Sequence, residues 1–153
     1  MHKKITRRAF CSILLALPIP ARAQQPKKIP RIGCLYATSL SSLRVRAFQE
    51  GLRELGYFEG KNIIIEWRAA EGKYDRLPAL AAELVRLKVD IIITGGAPAV
   101  RAAKEATVTI PIVMTQVGDP VGSGFVASLA QPGGNITGLS TLAPELSGKR
   151  LEI

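Results

Sequence analysis

The sequence predicts an α/β fold, an open parallel sheet with helices on both faces. Three observations carry that prediction. Short apolar runs, clearest at 89–94 and 112–117, lack the polar alternation of a half-exposed strand and suit strands buried on both sides. Segments with apolar residues at helical spacing stand between such runs. Two runs also close with the same punctuation, Gly95-Gly96-Ala97-Pro98 and Gly118-Asp119-Pro120, in which glycine permits a tight turn and proline suits the first turn of a helix. In a parallel sheet both turns fall at the carboxyl ends of their strands, on one edge, with helix N-termini facing whatever sits above them.

The elements follow in order. A first strand is expected at 31–36, with Cys34 as a small buried hydrophobe, since no Lys or His stands nearby to activate its thiol. Residues 37–42, Ala-Thr-Ser-Leu-Ser-Ser, supply hydroxyls for capping a helix or for contacting a ligand. The first helix spans about 43–55, with Val45, Phe48, Leu52 and Leu55 on its apolar stripe and Gly56 as its C-terminal cap. A turn at 57–62 leads to a second strand at 63–68, where Trp67 is assigned to packing in preference to ligand stacking. Asp75 is expected to cap a second helix with Pro78 in its first turn and Leu77, Leu80, Ala81, Leu84 and Val85 buried. The third strand is 89–94, its helix runs to about 106, and the fourth strand is 112–117. Val121, Phe125, Val126 and Leu129 predict a fourth helix that stops at Gln131-Pro132-Gly133-Gly134, before a fifth strand at 135–139. A further helix begins at 143 and runs to 153 without a terminating cap, glycine or proline.

The start of the chain has a different character. Residues 1–23 have the layout of a secretory leader: Lys3, Lys4, Arg7 and Arg8, then an apolar middle too short to span a bilayer, then Ala21-Arg22-Ala23 as a small-x-small cleavage site. The Thr6-Arg7-Arg8-Ala9-Phe10 run fits a twin-arginine signal as well as an ordinary leader, and both routes lead out of a bacterial cytoplasm. Residues 24–30 form a spacer, and 31–142 make one lobe. Cleavage would remove five basic residues from the chain's 21, leaving 16 against 12 acidic ones, a net charge of +4 in place of +9. No basic stripe with interleaved aromatics is present, so nucleic acid is not expected as a partner. Cys11 and the sole histidine, His2, also lie in the leader. The remainder then has one cysteine, Cys34, and no histidine for a metal or a general base.

The glycine-rich runs do not make a nucleotide site. The glycines at 118, 122 and 124 miss the G-x-G-x-x-G spacing, no Lys-Ser/Thr ends the run, and Gly95-Gly96 has no third glycine at the needed offset. Asp119 reads first as a helix cap, although one carboxylate can cap and also receive a ligand ammonium. The N–H groups after Gly95 suit a carboxylate. Asn135-Ile136-Thr137 matches a glycosylation acceptor, which a bacterial-type leader makes irrelevant.

Several uncommon strings occur in one order: GYFEGKN, EGKYDRLPALA, GDPVGSG and QPGGNITG, preceded by the leader ending ARAQQP. With them the chain from Arg31 to Ile153 closely resembles the amino-terminal half of the ABC-transporter substrate-binding proteins of the tryptophan/tyrosine type. The resemblance implies a type I periplasmic-binding fold, in which two Rossmann-like lobes close on a small solute, often an amino acid, and deliver it to an ABC permease in the inner membrane. It implies a periplasmic protein that is not itself membrane-spanning, has no cofactor or metal, and is not an enzyme. Members are about twice this length, so residues 143–153 are expected to be a truncated helix leading toward a second lobe, missing from this chain, that would carry the other half of the ligand contacts. Strand-end geometry and the resemblance together nominate Thr38 and Ser39, then Gly95, Gly96 and Ala97, then Gln116, Gly118 and Asp119 as ligand-binding residues. Two rival readings are an exported hydrolase-like α/β enzyme, which lacks histidine and a G-x-S-x-G elbow, and the ligand-sensing domain of a regulator, which lacks a DNA-binding helix pair before Arg31.

Overall fold

The computed structural model describes residues 28–40 and 42–141. The leader and the helix expected at 143–153 lie outside the described residues. Five strands and three helices alternate: β1 (Arg31–Tyr36), α1 (Ser42–Glu54), β2 (Ile64–Ala69), α2 (Leu77–Arg86), β3 (Ile91–Gly95), α3 (Ala97–Ala106), β4 (Ile112–Val117) and β5 (Ile136–Ser140). A single 3₁₀ turn, Tyr74–Arg76, precedes α2. All strand pairs are parallel, in the order β2-β1-β3-β4-β5. The chain steps outward from β1 to β2, then returns across β1 to build β3, β4 and β5 on the other side. The strand order therefore reverses between β1 and β3, where open α/β sheets leave a crevice above the strand ends.

The uninterrupted apolar runs serve two cores at once because successive strand residues point to opposite faces. Leu35 of β1, Ile92 of β3 and Ile112 of β4 are fully buried beneath α2 and α3, against Leu77, Leu84 and Val100. Ile32 and Cys34 join Ile63 and Ile65 on the opposite face, under Phe48 and Leu52 of α1. The isoleucine run of β3 splits the same way, Ile92 to the first core and Ile91 and Ile93 to the second. Cys34 is wholly buried, and burial first, then the charge of Glu59, pushes its thiol up to about 12, which keeps it protonated and inert. β4 and β5 approach so closely at Gly138, φ 142°, that a Cβ there would overlap the carbonyl of Met114.

Several expectations are corrected. No helix forms between β4 and β5. The chain makes one turn, in which the N–H groups of Phe125 and Val126 both donate to Pro120 O at 2.9 and 3.3 Å, and then runs irregularly to β5. Gly122 and Gly124 fall in what would have been the first turns, each costing a helix about 1 kcal/mol relative to alanine. Gly124 adopts φ 69°, which ends the turn. Phe125 and Val126 are buried as neighbours, while Val121 and Leu129 of the expected stripe are exposed. Asp75 does not cap α2: Arg76 holds the N-cap position without a side-chain bond, and Asp75 lies in the preceding 3₁₀ turn. Leu55 falls just past α1 and is 75 % exposed. Asn135 donates from Nδ2 to the carbonyls of Ile110 (2.8 Å) and Thr107 (3.2 Å), so this side chain ties the start of β5 to the α3–β4 loop.

Candidate functional site at the carboxyl edge of the sheet

Strand register assembles the edge. Tyr36 pairs with Gly95, and Gly95 with Thr115, so the loops after β1, β3 and β4 emerge from adjacent strands at one level. At the usual strand spacing the β1 and β4 loops stand about 10 Å apart, with the β3 turn between them, a width suited to a solute of amino-acid size. Among the described residues no hydrogen bond joins the β1 loop to the other two loops.

The middle loop is locked. Gly96 is the N-cap of α3 at φ 80°, ψ 145°, a region that residues with side chains essentially avoid. Its N–H donates to Thr115 O at 3.1 Å, and the Thr115 hydroxyl donates to Thr94 O at 3.1 Å, so the turn is held by β4. Ala97 and Ala99 then present early N–H groups at the positive end of a ten-residue helix, and Pro98 contributes none. Gly95 is crowded: a Cβ there would stand 3.2 Å from Thr115 Oγ1 and 3.5 Å from Cε1 of Tyr36.

The third loop carries a distortion. Gln116 has φ 57°, and the pairing of β4 with β5 shifts register between Met114 and Val117, so an extra residue bulges out at the open edge. A left-handed conformation costs a non-glycine residue about 1 kcal/mol. Asp119 accepts the N–H of Gly122 on Oδ1 at 2.7 Å, which is the capping role expected, although it closes a single turn and not a helix. Among the described residues its Oδ2 makes no hydrogen bond.

All eight nominated residues are described. Thr38, Ser39, Gln116, Gly118 and Asp119 are exposed, and Gly95, Gly96 and Ala97 are half-buried. The structure thus places every one of them on the same edge. Tyr36 was not nominated. It is half-buried on the α1 side and lines a small recess with Ser39, Leu40, Arg44, Val45 and Trp67. Burial raises the pKa of its phenol, as does the neighbouring Cys34, while the Arg44 guanidinium acts in the opposite direction. The available signal was an aromatic residue two positions before the nominated Thr38. Trp67 packs, as expected, edge-on to Phe48, with centroids 5.9 Å apart at 87°. One larger concavity lies between Lys104, Phe125 and Asn135, and another, lined by Tyr74, Leu77, Ala97, Pro98 and Arg101, opens beside the start of α3.

Comparison with known proteins gives this edge its context. Residues 37–152 match the family described as ABC transporter substrate binding protein. A tyrosine-binding protein of Clostridioides difficile is 40 % identical over 116 residues, which cover 74 % of this chain and 34 % of that protein. Among solved structures, a ligand-free, open substrate-binding protein with adhesive properties from Clostridium difficile is similar, with 32 % identity and a TM-score of 0.68 over 73 % of this chain and 39 % of its own. A Streptococcus pneumoniae domain in complex with L-Trp has 32 % identity and a TM-score of 0.67 over 72 % of this chain and 38 % of its own. A conserved domain protein of Vibrio cholerae has 35 % identity and a TM-score of 0.69, over 74 % and 39 %. The chain therefore spans less than two fifths of the length of these relatives in the matched regions. With the family match extending from the end of β1 through every later described element, the chain belongs to the ABC transporter substrate-binding protein family.

Proposed function

We propose that residues 31–142 form the amino-terminal lobe of a periplasmic solute-binding protein, exported by the leader at 1–23, which presents an amino acid to an ABC permease in the inner membrane. The protein carries no chemistry of its own in this reading. In this reading residues 143–153 lead toward a second lobe that closes over the solute. The observation that carries the proposal is the register of Tyr36, Gly95 and Thr115, which gathers three polar loops around the β1/β3 reversal. The N-terminus of α3 suits the carboxylate of an amino acid, and Asp119 Oδ2 suits its ammonium. The relatives named for tyrosine and seen with L-Trp support an aromatic amino acid. Among the described residues no helix is long and apolar enough to cross a membrane, so the permease is a separate partner in this reading.

Calorimetry on the naturally produced chain tests the proposal, with L-tryptophan, L-tyrosine and L-leucine as probes and Asp119→Ala alongside. Binding of an amino acid is expected, weakened about tenfold or more in the variant by loss of a charged hydrogen bond. Absence of binding to every amino acid would reject the function, and unchanged affinity in the variant would remove Asp119 from the site.

A further inference from the structure

The polar groups at this edge explain how an amino acid is held, but they do not explain how one is chosen. A helix N-terminus and a carboxylate read the carboxylate and ammonium that all amino acids share. Discrimination needs a surface for the side chain. Tyr36 has the placement for it. It is the last residue of β1, beside the strand on which the sheet order reverses. One edge of its ring lies over Gly95, with Cε1 and Cδ1 3.5 and 3.6 Å from where a Cβ would stand, so the missing side chain lets the ring rest on the β3 backbone. The remaining surface borders the recess shared with Ser39, Leu40 and Arg44. The hydroxyl makes no hydrogen bond among the described residues, which leaves it available as a donor. Trp67, the other aromatic of the recess, is paired with Cys34 one pleat deeper and is engaged edge-on by Phe48. Tyr36 is therefore the aromatic that stands at the level of the strand ends.

We propose that Tyr36 is a specificity-determining residue of the solute site, its ring packing against the flat side chain of an aromatic amino acid. This rests on the amino-acid-binding reading above and goes beyond it by assigning the side-chain preference to one residue. Offset or edge-on ring pairs add attraction that an aliphatic side chain does not receive.

The test compares Tyr36→Leu, which keeps apolar bulk but loses the ring, with Tyr36→Phe, which keeps the ring, in calorimetry of the naturally produced chain with L-tryptophan, L-tyrosine and L-leucine. Tyr36→Leu is expected to lower affinity for the two aromatic amino acids about fivefold to tenfold more than for leucine, and Tyr36→Phe to keep the aromatic preference. A second measurement needs no variant of Tyr36: titration with L-phenylalanine should shift the emission of Trp67, identified by difference from Trp67→Phe, because both rings line one recess. An equal loss for all three ligands, no loss at all, or binding of phenylalanine that leaves Trp67 emission unchanged would overturn the proposal while the amino-acid reading stands. Failure of the unaltered chain to bind any amino acid would overturn both.

Discussion

Gln116 stands at the open edge in a backbone conformation that glycine would hold without strain. A side chain at that strained position is a candidate for solute contact, and strain and contact separate experimentally. Gln116→Gly is expected to raise stability by about 1 kcal/mol, read as a higher urea midpoint, and to weaken solute binding. Higher stability with unchanged affinity would show that the side chain contributes nothing to the site. Thr94, one residue before Gly95, has a buried hydroxyl with no hydrogen-bond partner among the described residues. Such a group costs about 1–3 kcal/mol, so Thr94→Val is expected to raise the thermal midpoint, and a fall would reveal a partner for the hydroxyl. At this scale the placement of the eight nominated residues at the strand ends was legible because those ends are marked locally by glycine, proline and cap-type residues. The packing of Tyr36 on Gly95 was not legible, because it depends on the two being cross-strand neighbours 59 positions apart along the chain.

Among the elements, the strands and three helices were legible from apolar period, and their ends fall within a residue or two of expectation, the usual uncertainty of boundaries. The segment after β4 was not. Its apolar residues at 121, 125 and 129 mimic a helical stripe, and the glycines between them decide against the helix. The entry to the sheet is held differently. Asp90, just before β3, accepts the N–H of Arg31 at 2.8 Å and pairs with the Lys28 ammonium, tying the starts of β1 and β3 together. The hydrogen bond from Lys28, then that from the Arg31 backbone, holds its carboxyl below the ordinary 3.8. A carboxyl with a depressed folded pKa contributes stability that is fully present above its unfolded pKa and is lost as pH falls through the folded one. The difference in urea midpoint between the unaltered chain and Asp90→Asn should therefore hold steady from about pH 7 to about pH 5 and shrink below pH 3.8. A difference that persists into strong acid would mean that the Asn change acts through the backbone bond alone.

For the molecule as a whole, the sheet order sets both the crevice above the strand ends and the gradient of stability. β1, β3 and β4 have partners on both sides, whereas β2 and β5 are edges. The β2 edge carries Glu66 and Arg68, linked to Arg31 and Glu83, while β5 leaves Leu139 74 % exposed. Native-state amide exchange should accordingly be slowest in β1 and β3 and fastest among the strands in β5, and equal protection across the sheet would contradict this gradient. The sequence by itself determined the five strands, the first three helices, the parallel α/β class and the polar turns at the carboxyl edge, because apolar period and turn chemistry act over a few residues. Only the tertiary structure decided that β1 lies between β2 and β3, that Tyr36 rests on Gly95, and that Gln116 bulges from β4. Those facts depend on which distant strands pair and in what register, and that choice is made by helices and strands packing together across the two cores, not by any local run of residues.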